Sequence, residues 1–132
     1  MMIRSTLMAA GLIGCLTSVP ASAAFLNINA AGQLTGARGV DVGGALYDVD
    51  FRDGTCIGLY SGCDAGSDFI FGTSSAAADA AQALLDQVFL DLGAPTTAFD
   101  SDPSLTYDCL SIERCIAFTP WSVNGPNVSI QG

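Results

Sequence analysis

The side chains in this sequence that could act in catalysis are carboxylates. Asp48 and Asp50 alternate along an extended segment, which puts both on one strand face about 7 Å apart. Two such acids can serve as general acid and base in cleaving a glycosidic bond. Alternating aspartates are also the ordinary solvated face of a strand, and the chain has a single Glu. We therefore assign no catalytic residue and keep a small carboxylate-dependent hydrolase as one alternative.

Two missing residue types exclude most other reaction chemistry. The chain contains no His and no Lys. This rules out Ser-His-Asp and Cys-His catalysis, histidine metal sites, lysine Schiff bases and the lysine-containing phosphate-binding loop. The glycines form no dinucleotide-binding fingerprint either. The sequence therefore favours a protein that is not an enzyme.

Calcium binding is a second use for the acidic side chains, since exported domains bind Ca²⁺ through carboxylate and carbonyl oxygens. The segment from Asp48 to Gly54 resembles the start of an EF-hand loop, but Arg52 occupies a ligand position and Leu59 replaces the bidentate Glu. The calcium candidates are instead acids close to the cysteines, namely Asp64, Asp68, Asp100, Asp102 and Asp108. No other cofactor is expected.

Residues 1–23 are predicted to be a cleavable export signal. Arg4 supplies the positive region, Leu7 to Val19 the apolar segment, and Ala21-Ser22-Ala23 the small-residue cleavage pattern. The apolar run is shorter than the roughly 20 residues that span a bilayer, which argues against a retained membrane helix. Leu12 to Cys15 resembles a lipoprotein cleavage box, but cleavage there would leave a very short apolar segment. We expect secretion or exposure at the cell surface.

The remaining residues, 24–132, suit a single small domain. Three arginines face thirteen carboxylates in this part, so its net charge is about −10. Nucleic acid phosphates and anionic lipids repel such a chain, and neither is an expected partner. No membrane span is predicted in the mature chain. The partner is unknown, with an extracellular or surface component as the candidate.

Four cysteines remain after the leader: Cys56, Cys63, Cys109 and Cys115. An even number in a small exported domain predicts two disulfides. Three pairings are open, and the short polar loops favour Cys56 with Cys63 and Cys109 with Cys115. The spacings lack a C-x-x-C pair and no His is present, which disfavours a metal or redox site.

A β-hairpin is the clearest element that would position these groups. Gly39 to Phe51 alternates apolar and acidic residues around Gly43-Gly44, a pair that can take the positive φ angles of a tight turn. The register pairs Val42 with Ala45 and Val40 with Tyr47. Further strands are predicted at Phe25 to Asn29, with Gln33 to Thr35 as its partner, and at Asp68 to Phe71, Ile116 to Phe118 and Asn127 to Ile130.

One main helix is predicted from about Ser75 to Leu92. A hydroxyl from Thr73, Ser74 or Ser75 can cap its start, and Gly93 with Pro95 stops it. Its expected apolar face packs on the hairpin and comprises Ala81, Leu84, Leu85, Val88 and Leu92. The predicted fold class is α+β: a small antiparallel sheet with an N-terminal β-hairpin, one main α-helix packed on it, and disulfide-stabilised loops.

Several stretches resemble a group of uncharacterised exported bacterial proteins, many of which carry a PEP-CTERM sorting signal. They are GVDVGGALYDVDFRDGTC, YSGCDAGSDFIFGT, the helical ALLDQVFLD, and the last cysteine pair ahead of FTPW. The resemblance covers most of the mature chain and implies export without assigning an activity or a catalytic residue. This sequence departs from the group because Gln131-Gly132 follows no Pro-Glu-Pro motif, apolar anchor or basic tail.

The function that we predict is that of an exported, acidic, disulfide-stabilised protein with a non-enzymatic binding or structural role at the cell surface or in the extracellular matrix. A secreted inhibitor-like module is the first alternative, since the Cys56 to Cys63 loop could project an inhibitory segment. The hydrolase is the second.

Overall fold

The computed structural model describes residues 23–92, 97–109, 111 and 113–132. The predicted leader before residue 23, with Cys15, and the predicted helix stop at Gly93 and Pro95 lie outside the described residues. The strands are β1 (Phe25–Ile28), β2 (Leu34–Val42), β3 (Ala45–Asp50), β4 (Thr119–Asn124) and β5 (Asn127–Gln131), and the helices are α1 (Cys56–Leu59) and α2 (Ser74–Gln87). This is the predicted α+β class.

The N-terminal sheet is antiparallel, with strand order β1-β2-β3. The predicted hairpin is confirmed, because Val42 pairs with Ala45 and Val40 with Tyr47. Gly43 and Gly44 have φ angles of 62° and 90°, both in the left-handed region that a two-residue hairpin turn favours. The predicted partner of the first strand, Gln33 to Thr35, is the beginning of the long strand β2 rather than a separate element.

A bulge in β2 determines which side chains reach the core. Ala37 pairs with Val49 and Val40 with Tyr47, so two residues of β2 oppose Asp48 alone. Gly39 supplies the positive φ of 69° at this point, and its N–H donates to Asp48 Oδ1 at 3.1 Å. In a regular strand, residues three positions apart point to opposite faces of the sheet. The extra residue of the bulge shifts this alternation, so Ala37 and Val40 face the same side and both are fully buried.

The core lies between β2 and α2. Seven buried side chains form it: Leu34, Ala37, Val40, Ala83, Leu84, Val88 and Phe99. Two of them are alanines, which let the helix approach the sheet closely. The core is small, and most of the aromatic side chains lie outside it.

Helix α2 begins as predicted but ends five residues early. Thr73 caps it, since its hydroxyl accepts the Ala76 N–H at 3.2 Å. The chain leaves helical geometry after Gln87, and the residues that follow turn so that Asp91 can bridge to Ala98. The predicted inward positions Leu85 and Leu92 are wrong: Leu85 lies within α2 but is 54% exposed, and Leu92 lies beyond its end and is 63% exposed. The helix residues that are buried are Ala77, Ala80, Ala83 and Leu84.

Two predicted strands are wrong. Gly66–Asp68 is a turn of 3₁₀ helix, and Asp68 to Phe71 continues into bends instead of a strand. The segment 116–118 precedes β4, which begins at Thr119. Short apolar runs do not distinguish strands from buried loops by pattern alone. The predicted strand from Asn127 is confirmed as β5, which forms a second antiparallel sheet with β4 against α2.

Gln87 ties the end of α2 to the edge of β2. Its side-chain oxygen accepts the Asp41 N–H at 2.9 Å, and its side-chain nitrogen donates to the Asp41 carbonyl at 2.8 Å. Strand β1 pairs with β2 only as far as Arg38. The Gln87 amide therefore bonds to the β2 backbone beyond the end of β1, as a neighbouring strand would.

We expect Gln87→Leu to lower the free energy of unfolding by about 1–3 kcal/mol, because the half-buried N–H and C=O of Asp41 lose their partners. Urea denaturation followed by circular dichroism measures the loss. Gln82→Leu is the matched control, since the side chain of exposed Gln82 donates to the Asp86 side chain of the same helix. Equal losses in the two variants would contradict this role for Gln87.

Gly36→Ala should be more damaging, with a loss of about 3 kcal/mol or more. An added Cβ at Gly36 would lie 2.0 Å from the Val49 carbonyl oxygen on the neighbouring strand, so β2 and β3 would have to separate. Thermal unfolding checks this, with Gly72→Ala as the control because a Cβ at Gly72 meets nothing within 4 Å. A Gly36→Ala protein as stable as the control would show that the strands tolerate separation.

Candidate functional site

A groove of about 1140 Å³ lies between the two sheets, beside α2. Strand β3, the loop containing α1, helix α2, the segment 114–119 and strand β5 all contribute to its walls. Leu85, Ile116, Phe118 and Ile130 line it and remain 54%, 49%, 58% and 45% exposed. Exposed apolar side chains that line one groove are a feature of many binding surfaces.

Three aromatic pairs stiffen the walls of the groove. Ring centroids lie 5.3 Å apart for Tyr47 and Phe71, 5.2 Å for Phe51 and Phe89, and 5.3 Å for Tyr60 and Phe69. All six of these residues line the groove. Burial raises the pKa of Tyr60, and its phenol hydroxyl can donate a hydrogen bond. The groove therefore offers several aromatic rings beside its aliphatic side chains.

One end of the groove is acidic. A smaller cleft of about 410 Å³ shares five residues with the groove: Asp50, Phe51, Arg52, Tyr107 and Asp108. The Arg52 guanidinium lies 3.7 Å from the Asp50 carboxylate, and both side chains are mainly exposed. Asp108 Oδ2 accepts the Asp53 N–H at 3.3 Å, which joins the loop after β3 to the loop before Cys109. The exposed ion pair between Arg52 and Asp50 contributes little to stability.

The predicted acid pair is divided between two structural roles. Asp48 accepts the N–H of Gly39 at the β-bulge, whereas Asp50 pairs with Arg52 at the acidic cleft. Asp108 lines that cleft together with Asp50. Their proximity could not be read from the sequence, because 58 positions separate them. Nothing in this geometry assigns a reaction.

The calcium candidates take part in hydrogen bonds of the loops, and the carboxylates of Asp68 and Asp102 accept within their own loops. Asp68 accepts the N–H groups of Asp64 and Ala65 at 3.1 and 3.2 Å, and Asp102 caps the 3₁₀ turn Pro103–Leu105 by accepting from Ser104. The Asp100 N–H donates to Asp91. Across residues 23–92, 97–109, 111 and 113–132, no three His, Cys, Asp or Glu side chains form a group that could hold a metal ion. A calcium site stays a prediction.

The two predicted disulfides are supported. The Cα atoms lie 5.8 Å apart in Cys56 and Cys63, and 5.9 Å apart in Cys109 and Cys115, which is the usual spacing of bonded cysteines. Leu59 lies inside the first closed loop and Ile116 follows the second directly, and both line the groove. The disulfides therefore hold two segments of the groove wall.

In the described part of the chain, no helix has the length and apolar character that a membrane crossing needs.

Comparison with protein-family models, with curated proteins and with solved structures yields no match. The candidate site therefore rests on the geometry of this chain alone. The resemblance to exported PEP-CTERM-type proteins stays a prediction.

Asp91 organises the turn that follows α2, close to the groove-lining residue Asp100. Its carboxylate accepts the N–H groups of Asp100 and Ser101, both at 3.1 Å, and also accepts the Ser101 hydroxyl. The Ser101 side-chain hydrogen bond is the largest cause of a lowered pKa at Asp91, and backbone hydrogen bonds from Ser101 and Asp100 add to it. Because the pKa is lower in the folded state, the charged carboxylate stabilises the fold above its ordinary pKa, and this stabilisation is lost as the pH falls.

We expect Ser101→Ala to reduce the acid sensitivity of folding, because it removes the main donor to Asp91. Unfolding free energies measured between about pH 6 and about pH 2 should then fall less steeply than in the wild type. Ser67→Ala controls for the loss of an exposed hydroxyl. Parallel acid profiles for wild type and Ser101→Ala would contradict the role of this hydrogen bond.

Proposed function

We propose that this protein is an exported, non-enzymatic binding protein of the cell surface or extracellular matrix, and that the groove beside α2 is its binding surface. The observation that carries the proposal is the set of exposed apolar side chains lining one groove, among them Leu85, Ile116 and Phe118. Leaving such side chains in water forgoes the stabilisation that burial provides. A ligand that covers them recovers this free energy.

Export is supported by three independent properties of the chain. Residues 1–23 have the pattern of a signal peptide, and two disulfide pairs are typical of oxidising compartments. The net charge of about −10 in residues 24–132, from three arginines and thirteen carboxylates, keeps an exported domain soluble despite an exposed apolar groove.

The inhibitor-like alternative depends on the Cys56–Cys63 loop, where the Ile57 side chain is 73% exposed. The loop forms a helical turn, in which the N–H groups of Gly58 and Leu59 donate to the Thr55 carbonyl at 2.9 and 3.1 Å. The N–H groups of Gly58 and Leu59 are therefore not free to pair with an extended strand of a protease. This geometry makes the inhibitor the weaker alternative, and a protease inhibition assay tests it.

The groove proposal predicts that Nile red, a neutral apolar dye, binds to the purified protein. We expect Leu85→Gln to weaken dye binding about tenfold, which corresponds to the loss of one buried leucine contact. Fluorescence titration gives the Kd. Leu85 is an exposed position on α2, so glutamine preserves the helix and removes only apolar surface.

Leu46→Gln is the matched control, because Leu46 is 63% exposed on β3 and lies outside the groove. It should leave dye binding unchanged. Dye binding that is insensitive to Leu85→Gln, or equally sensitive to Leu46→Gln, would overturn the groove as the binding surface.

A further inference from the structure

The charged side chains lining the groove are mostly acidic. Five carboxylates and two guanidinium groups line it: Asp48, Asp50, Asp53, Asp100, Asp108, Arg52 and Arg114. Arg52 and Asp50 pair with each other, and the remaining four carboxylates outnumber Arg114. The apolar surface therefore ends in a region of negative charge, and a ligand with the complementary charge would be steered to it.

The acidic cleft also contains hydrogen-bond acceptors and aromatic rings that could bind a basic group. Asp108 uses one carboxylate oxygen for the Asp53 N–H, and its other acceptor positions are available to a ligand. Tyr107, which is 42% exposed, and Phe51 line the same cleft and provide rings that a cation can approach. A guanidinium or ammonium group would meet both carboxylate and aromatic partners there.

Other occupants fit this combination less well. A second copy of the chain carries a net charge of −9 and is repelled from an acidic site, as is an anionic lipid. The groove volume of about 1140 Å³ lies above the range of about 300–1000 Å³ that is usual for small-molecule pockets. A peptide segment matches its size.

We propose that the groove binds a peptide segment of a partner protein that is apolar along its length and carries a basic side chain at the acidic cleft, next to Asp50 and Asp108. This inference rests on the proposed function of the groove and adds the chemical class of its ligand.

Two capped, fluorescein-labelled nonapeptides test it, each composed of leucines and arginines, with citrulline replacing every arginine in the second. Citrulline keeps the shape of arginine and removes its charge. We expect fluorescence anisotropy to show the arginine peptide binding about tenfold more tightly than the citrulline peptide at low salt. The difference should shrink at high salt, because the cleft is exposed.

The double variant Asp50→Asn with Asp108→Asn should abolish most of this preference. Asparagine tolerates the positive φ of 59° at Asp108 and keeps an acceptor for Asp53. The matched control is Asp79→Asn with Asp86→Asn, which removes the same charge from helix positions outside the groove. The control should retain the preference for arginine.

The outcomes separate this inference from the proposed function. Suppose that Nile red and both peptides bind, and that each peptide binds the Asp50/Asp108 variant as tightly as it binds the wild type. The groove then binds ligands, but the basic subsite is wrong. If the control double variant loses as much arginine preference as the cleft variant, the attraction comes from overall charge and the subsite is also wrong. If neither dye nor peptide binds, both proposals fail.

Discussion

The contact between β2 and α2 is the interaction on which the rest of this fold depends. The bulge at Gly39 turns both Ala37 and Val40 inward, and Ala83 and Val88 of the helix side meet them in the buried cluster. Gln87 adds two hydrogen bonds from the helix end to the backbone of Asp41. Small side chains let the two elements pack closely, but they also limit how much apolar surface this core can bury.

The groove follows from that limited core. Six aromatic side chains outside the fully buried cluster pair with one another instead: Tyr47 with Phe71, Phe51 with Phe89, and Tyr60 with Phe69. Leu85 of helix α2 and, in the segment after Cys115, Ile116 and Phe118 line the groove and stay largely exposed. Two disulfides, rather than further hydrophobic burial, restrain these walls. Such restraint suits a surface that must stay open to a ligand.

The hairpin could be predicted because its information is local. Two glycines at the turn and a two-residue alternation specify the register without any distant contact. The cysteine pairing was predictable for the same reason, since both loops are short. The end of α2 could not be predicted in this way, because Gln87 lies well before any glycine or proline. The chain turns away before the glycine and proline that were expected to stop the helix, and Asp91 then forms a bridge with Ala98.

The candidate site had almost no sequence signal. Asp50 and Asp108 are far apart in the chain and meet only because the loop before Cys109 returns to the end of β3. The bulge at Gly39 was equally hidden, and it shifts which residues of β2 face the core. Leu85 was expected in the core because it matches the helical period, and its exposure becomes informative only once Ile116 and Ile130 are seen to line the same groove.

The most direct test of this account is methyl NMR of the purified protein, with leucine and isoleucine methyls labelled, during titration with the arginine nonapeptide. The account predicts chemical-shift changes at Leu85, Ile116 and Ile130, which line the groove. The methyls of Ile28 and Leu46, which are exposed outside it, should not move. Shifts at Ile28 and Leu46 with unchanged groove methyls would contradict the claim that this groove is the binding surface.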